Sequence, residues 1–267
     1  MTNDIKFTSA DAFDEFRKHV ATERRHFFSP KTHDFLTSVR ETTRSRRLAV
    51  PARSSLWRAQ LGCLGTDKHG GAEPYGFVRM LPPRDKAREG RLNPKGIPIV
   101  YTACDEDTAM IEVRPDLDST ISLAELRVVR ELTIVHCAAD QPESHLGRLF
   151  RRDSARNVSI EKREMIVWGD INAAFACPVT GTDSQADYVA TQILAELFRD
   201  EGFDGVAYRS SLGKGYNIAI FDLNAVEVVS CRTYGVEDFK MTFGEAGHRY
   251  TLHTAAGERG NANGGKS

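Results

Sequence analysis

The 267-residue chain lacks any apolar run long enough to cross a bilayer as a helix, and its start, Met1-Thr2-Asn3-Asp4-Ile5-Lys6, lacks the basic-then-apolar order of a secretory signal. An excess of charge of one sign is equally missing. With 36 basic and 37 acidic residues the formal net charge is -1, so nothing global attracts the chain to nucleic acid or to an anionic membrane. Cysteine is sparse: Cys63, Cys104, Cys137, Cys177 and Cys231 are odd in number, scattered, and form no C-x-x-C pair. That argues against a disulfide framework and a zinc site, and predicts reduced, mostly buried thiols. Long internal repeats are missing too, and no G-x-G-x-x-G follows a candidate strand, which removes a Rossmann dinucleotide site. The expectation is a cytoplasmic protein with no membrane partner, and the overall charge disfavours nucleic acid.

What is present supports a full hydrophobic core, since 40% of the residues are hydrophobic and 27% charged. Residues 8 to 47 read as two amphipathic helices. Ser9 is a candidate cap for the first, where Phe13, Phe16 and Val20 recur at helical spacing; Pro30 suits the first turn of the second, where Phe35, Val39 and Thr43 share a face. This stretch is rich in Arg and Lys, which reads as a solvated face with interspersed acids or as a surface for an acidic partner or a nucleic acid.

From Ser55 the pattern changes. Leu56 to Leu61 is a candidate strand, followed by a Gly- and Pro-containing stretch through Pro94 without a clear period, long enough to suggest function. Ile97 to Tyr101 reads as a strand, Asp105 opens a short helix that Pro115 ends, and Ile121 to Cys137 holds one bent strand or two short ones. Glu161 to Ala176 reads as a helix. Thr182 and Gln185 have capping-box spacing ahead of a second helix carrying Val189, Ile193 and Leu197 beside Ala190, Leu194 and Phe198, and Gly202 stops it. Strands at Gly205 to Tyr208, Asn217 to Phe221 and Val226 to Val229 follow. Without regular βαβ alternation the fold class is α+β.

Three groups stand close in sequence near the middle. Gly90-Arg91-Leu92-Asn93 leads into Ile97-Pro98-Ile99-Val100-Tyr101 and then the acidic helix start Asp105-Glu106-Asp107, with Glu112 between Ile111 and Val113. An arginine, a tyrosine and a carboxylate could hold a dinucleotide phosphate, cover a flat base and stabilise a positively charged sugar. Each has a plainer reading. Glu112 could pair with Arg114, Arg58 and Arg91 could form structural ion pairs, and Tyr101 could be a core ring.

Together with Trp57-Arg58-Ala59-Gln60 upstream and Phe203-Asp204-Gly205-Val206-Ala207-Tyr208-Arg209-Ser210 downstream, these segments resemble the RES-domain family, named for its arginine, glutamate and serine. The order and separations match over about residues 50 to 235. The resemblance implies an NAD-degrading domain with a fold similar to ADP-ribosyltransferases, often the toxin of a toxin–antitoxin pair. It implies Glu112 as the carboxylate facing an oxocarbenium ion, Arg58, Arg91, Asn93 and Tyr101 as NAD contacts, and Ser210 holding the nicotinamide amide or ordering the acceptor; Ser211 remains an adjacent alternative. No metal and no resident cofactor is expected, because NAD is the substrate. Water or inorganic phosphate would be the acceptor, since Met110 stands where arginine-directed ADP-ribosyltransferases place a second Glu or Gln. Leu92 stands where family members commonly carry an aromatic residue, so a stacking contact would have to come from Trp57 or Phe77.

The expected organisation is an N-terminal helical extension at 1–47, a catalytic domain at 48–250 and a disordered tail at 251–267. An antitoxin or a second copy of the chain is the expected protein partner. Transfer of ADP-ribose to a macromolecule and a non-enzymatic interaction module are the rival readings.

Overall fold

A computed structural model describes residues 7–84, 86–139, 159–177 and 188–238. The Thr182–Gln185 capping box and the 251–267 tail lie outside these residues.

The chain opens with two helices, α1 (Ala12–Thr22) and α2 (Pro30–Thr43). Ser29 caps α2 by accepting from the Thr32 amide at 3.3 Å, with Pro30 in the first turn where no amide hydrogen is needed. The first helix is not capped by Ser9. Asp11 holds the cap position without a side-chain bond, and Ser9 Oγ is buried with no hydrogen-bond partner among the described residues.

Eight strands form one mixed sheet in the order β1-β7-β8-β9-β5-β2-β6-β10, antiparallel throughout except for the parallel pair β7–β8. They are β1 (Arg47–Val50), β2 (Ser55–Leu61), β5 (Val100–Ala103), β6 (Thr120–Val128), β7 (Leu132–His136), β8 (Gly205–Arg209), β9 (Tyr216–Ile220) and β10 (Val226–Gly235). A separate hairpin, β3 (Gly65–Thr66) with β4 (Ala72–Glu73), and one turn of helix, α3 (Phe77–Met80), occupy the stretch that lacks a sequence period. The remaining α-helices among the described residues are α4 (Glu106–Glu112), α5 (Ile160–Ala176) and α6 (Val189–Asp200). This is the expected α+β class with helices at the N-terminus. The expected domain boundary after residue 47 falls inside β1.

Alternation sorts the central strands onto two faces. Tyr101, Tyr208 and Ala219 point into a core shared with α1, α2, α5 and α6, whereas Val100, Ala207, Ile218 and Ile220 point into a second core with Leu126, Leu132 and Met80. The N-terminal helices are part of the first core: Phe13, Phe16, Val20, Phe35 and Val39 are buried with Val167, Trp168, Leu194 and Phe198. Polar contacts reinforce the seam. Arg46 lies 4.5 Å over the Trp168 ring, the Trp168 indole donates to Thr42 Oγ1 at 3.0 Å, and Arg40 pairs with Glu201 at the end of α6. Part of the basic character of residues 8 to 47 is therefore spent on internal pairing.

The sheet is thin at one place. β2 and β5 share a single registered pair, Trp57 with Ala103, while β2 pairs with β6 over seven residues. The five strands from β1 to β5 and the three from β2 to β10 thus meet at a narrow junction, and α4 packs there through Ala109 against Ala59, Ala103 and Leu123.

The thiols depart from expectation in one respect. All five are free, but only Cys137 is buried, with Cys104 and Cys177 exposed.

Candidate active site

α4 places Glu112 at the junction. Its start is fixed by Asp105, whose carboxylate accepts from the Thr108 amide at 2.7 Å and from Thr108 Oγ1 at 2.9 Å. Burial pushes the Asp105 carboxyl upward, but the hydrogen bonds from Cys104 and Thr108 outweigh it and hold it below the usual carboxylate range. Gly215 packs so closely on this cap that a Cβ would overlap Asp105 and Thr108, so the Gly213-Lys214-Gly215 turn can lie directly over the start of α4.

Glu112 is the last residue of α4 and is half-buried. Its Oε1 accepts two hydrogen bonds, from Ser210 Oγ at 2.6 Å and from Asn217 Nδ2 at 2.7 Å. Arg114 is not its partner. Ser210 itself accepts from the Leu212 and Gly213 amides at 3.1 and 2.8 Å, while Ser211 is exposed. The sequence separations of 98 and 105 residues are closed by register: Asn217 pairs with Ala103 on one side and Tyr208 on the other, which sets Trp57, Ala103, Asn217 and Tyr208 in a row across four strands.

Arg58 and Tyr101 meet across the thin part of the sheet. Arg58 Nη1 donates to the Tyr101 carbonyl at 2.7 Å, and its Nε is buried with no hydrogen-bond partner among the described residues. Burial pulls the guanidinium below its ordinary value, with the Tyr101 hydroxyl acting the other way. Tyr101 turns its ring toward the first core. Its hydroxyl donates to Asn93 Oδ1 at 2.7 Å and accepts from the Leu92 amide at 3.1 Å. Burial, with the Leu92 amide and the Arg91 charge opposing it, pushes this phenol up to about 12. Tyr208 is driven up further by burial, with the Arg91 charge opposing it.

Arg91 and Asn93 tie the loop to its neighbours. Arg91 Nη1 donates to the Phe175 and Ala176 carbonyls at 2.8 and 3.2 Å, completing the C-terminal end of α5 where a cation is favoured. Asn93 Nδ2 donates to three backbone carbonyls, of Arg88, Pro94 and Ile97, so both expected NAD contacts also make bonds within the protein. Gln192 and Thr191 on α6 hold the same loop through the Gly90, Asn93 and Arg91 carbonyls. Gly90 lies so close to the Tyr101 hydroxyl and Asn93 Oδ1 that no side chain fits there. Leu92 is buried in the core at 1% exposure and offers no stacking face.

Sequence reasoning missed Asn217, which looks like one polar residue in an apolar strand. It also missed Gln192, hidden on the buried face of α6. Of the expected site groups, the Arg58 guanidinium keeps its Nε without a hydrogen-bond partner among the described residues, and Glu112 is bonded through Oε1. Among the described residues no cluster of His, Cys, Asp and Glu is arranged to hold a metal ion.

A mixed sheet bearing a carboxylate fixed by a serine and an asparagine defines the class of this site. The sequence matches the RES domain over residues 55–244, and the chain belongs to that family. No curated protein matches the chain. A solved structure, the crystal structure of the M.tuberculosis MbcT–MbcA toxin–antitoxin complex, is similar at a TM-score of 0.38 and 12% identity, covering 74% of this chain and 92% of that one. Among the described residues no helix is long and apolar enough to cross a membrane.

Proposed function

We propose that this RES-domain protein cleaves the bond between nicotinamide and ribose in NAD, using water or inorganic phosphate as acceptor, and that it acts as a toxin by depleting NAD. One observation carries the reading. Glu112 Oε1 is held by two donors, while Oε2 has no hydrogen-bond partner among the described residues. A fixed carboxylate with one free oxygen is suited to a cation that exists only in the transition state, because its orientation costs nothing at the moment of reaction.

The chemistry asks for little else. The C1′–N bond breaks, its electron pair leaves with nicotinamide as a neutral ring, and the ribosyl oxocarbenium ion is stabilised by Glu112. Oxygen of water or phosphate then bonds to C1′ and releases a proton. Arg58, with Nε unspent and a planar fork, anchors the pyrophosphate. Tyr101, the ring expected to cover nicotinamide, packs against the first core and holds Leu92 and Asn93 through its hydroxyl. Met110, two residues before Glu112, packs against the small core beneath α4, so no acid stands at that position to engage a protein acceptor. NAD is a substrate here, and this chemistry requires no metal.

Growth arrest by NAD loss requires a brake, which we assign to an antitoxin protein. The decisive test is to incubate the purified protein with NAD, with and without phosphate, and identify the products. Free nicotinamide with ADP-ribose or its 1″-phosphate is expected; intact NAD, or label transferred to a macromolecule, overturns the reading.

A further inference from the structure

We infer that Asn217 and Ser210 are positioning residues that act through Glu112 as one unit, and that Ser210 touches neither nicotinamide nor the acceptor. This inference rests on the proposed NAD cleavage and assigns the work within that site. A serine hydroxyl has one hydrogen to give and two lone pairs to receive. All three are spent. The hydrogen goes to Glu112 Oε1 at 2.6 Å, and the lone pairs take the Leu212 and Gly213 amides at 3.1 and 2.8 Å. Nothing remains for a substrate group without breaking one of these bonds.

Asn217 supplies the second constraint. It is 6% exposed on β9, and its amide nitrogen must be the atom facing Glu112, since the carbonyl oxygen would meet the carboxylate with like charge. Two donors converge on Oε1 from different strand ends: Ser210 follows β8, and Asn217 lies within β9, which pairs with β8 in register from Gly205–Ile220 to Arg209–Tyr216. Together they fix both the position and the rotation of the carboxylate at the end of α4. Helix ends fray, and a glutamate there would otherwise sample several rotamers. Removing either donor frees the carboxylate to turn away from the site, and a misplacement of about 1 Å costs on the order of 100-fold in rate.

The test is a kinetic cycle on the full-length protein, with folding checked by thermal melting. Asn217→Ala is expected to lower kcat roughly 10- to 100-fold with KM within about twofold of wild type, as is Ser210→Ala, while Ser210→Thr keeps the hydroxyl and recovers most of the loss. The double substitution should lose less than the product of the single losses. On a Glu112→Ala background, Asn217→Ala should change residual turnover by less than about twofold, because a residue that works only through Glu112 has nothing left to position. Asn217→Asp, which is the same size, is expected to be worse than Asn217→Ala because it places a second carboxylate against the first. Full multiplicative losses on the Glu112→Ala background, or Asn217 variants that cleave NAD as fast as wild type, overturn the inference while leaving the function standing. A wild-type protein that leaves NAD intact overturns both.

Discussion

Arg58 Nη1 donates to the Tyr101 carbonyl at 2.7 Å at the place where β2 and β5 share one registered pair. The side chain therefore does the work of a missing ladder bond between the two parts of the sheet, and it does so from a buried position that leaves Nε without a partner among the described residues. A guanidinium can bridge the junction and still present a donor elsewhere. An ammonium, a point charge at the end of a flexible stem, cannot do both with fixed geometry.

Arg58→Lys should accordingly weaken NAD binding by about 10-fold or more, since a bidentate contact is lost, and should lower stability modestly through the Tyr101 carbonyl. Calorimetry on a Glu112→Gln background separates affinity from turnover. Unchanged affinity would confine Arg58 to its structural bond.

Glu112→Gln should keep the fold and NAD affinity. A glutamine can place its carbonyl oxygen where Oε1 accepts from Ser210 and Asn217, so both bonds survive the loss of charge. Turnover should fall roughly 10²- to 10³-fold, the usual cost of removing one electrostatic stabiliser of a transition state. Wild-type turnover in the variant would show that the charge is not needed.

Much of this fold is written locally in the sequence. Asp105 announces α4 and Pro30 announces α2 because capping and proline geometry depend on neighbours only. Helical faces such as Phe13-Phe16-Val20 are readable for the same reason. What escapes is set at long range. β1 shows three exposed residues out of four and no alternation, so only its pairing with β7 makes it a strand. The strand expected at Ile97 to Tyr101 begins instead at Val100, because Ile97 is 39% exposed and pairing with β9 starts at Val100 with Ile220. β10 continues through the polar run Ser230 to Thr233, past the expected end at Val229, because β6 pairs with it to Gly235. At the site, Glu112 stands out by its apolar neighbours, but Asn217 gains its meaning only from a carboxylate 105 residues away. Nor does any local pattern show that Arg91 donates to the carbonyls at the end of α5.

Tyr101→Phe isolates one hydroxyl with two partners. Its loss leaves the Leu92 amide and Asn93 Oδ1 without that bond, which should cost on the order of 1–3 kcal/mol in urea denaturation. The sign with pH follows from the phenol being raised from 10.0 to about 12. The folded state holds the proton more tightly than the unfolded chain, so this contribution is complete below pH 10 and is lost as pH rises through 12. Stability measured across that window should decline less in Tyr101→Phe than in wild type. Parallel declines would show that Tyr101 does not control the alkaline limb.

Removing residues 1–47 should unfold the protein and should not release an overactive enzyme. Phe13, Phe16, Val20, Phe35 and Val39 are all buried in the core that also holds Tyr101 and Tyr208, and burying each side chain contributes about 1.5–3 kcal/mol. A whole domain is stable by only about 5–15 kcal/mol, so losing five such anchors exceeds the margin. The cut would also expose Trp168 and Phe198, now fully buried, and would leave the Trp168 indole without Thr42. Residues 48–267 expressed alone should be insoluble or molten, with little NAD turnover and less toxicity than the full chain. A soluble, cooperatively melting fragment that cleaves NAD faster than the full chain would instead make α1 and α2 an internal brake, and a separate antitoxin would then be unnecessary for control.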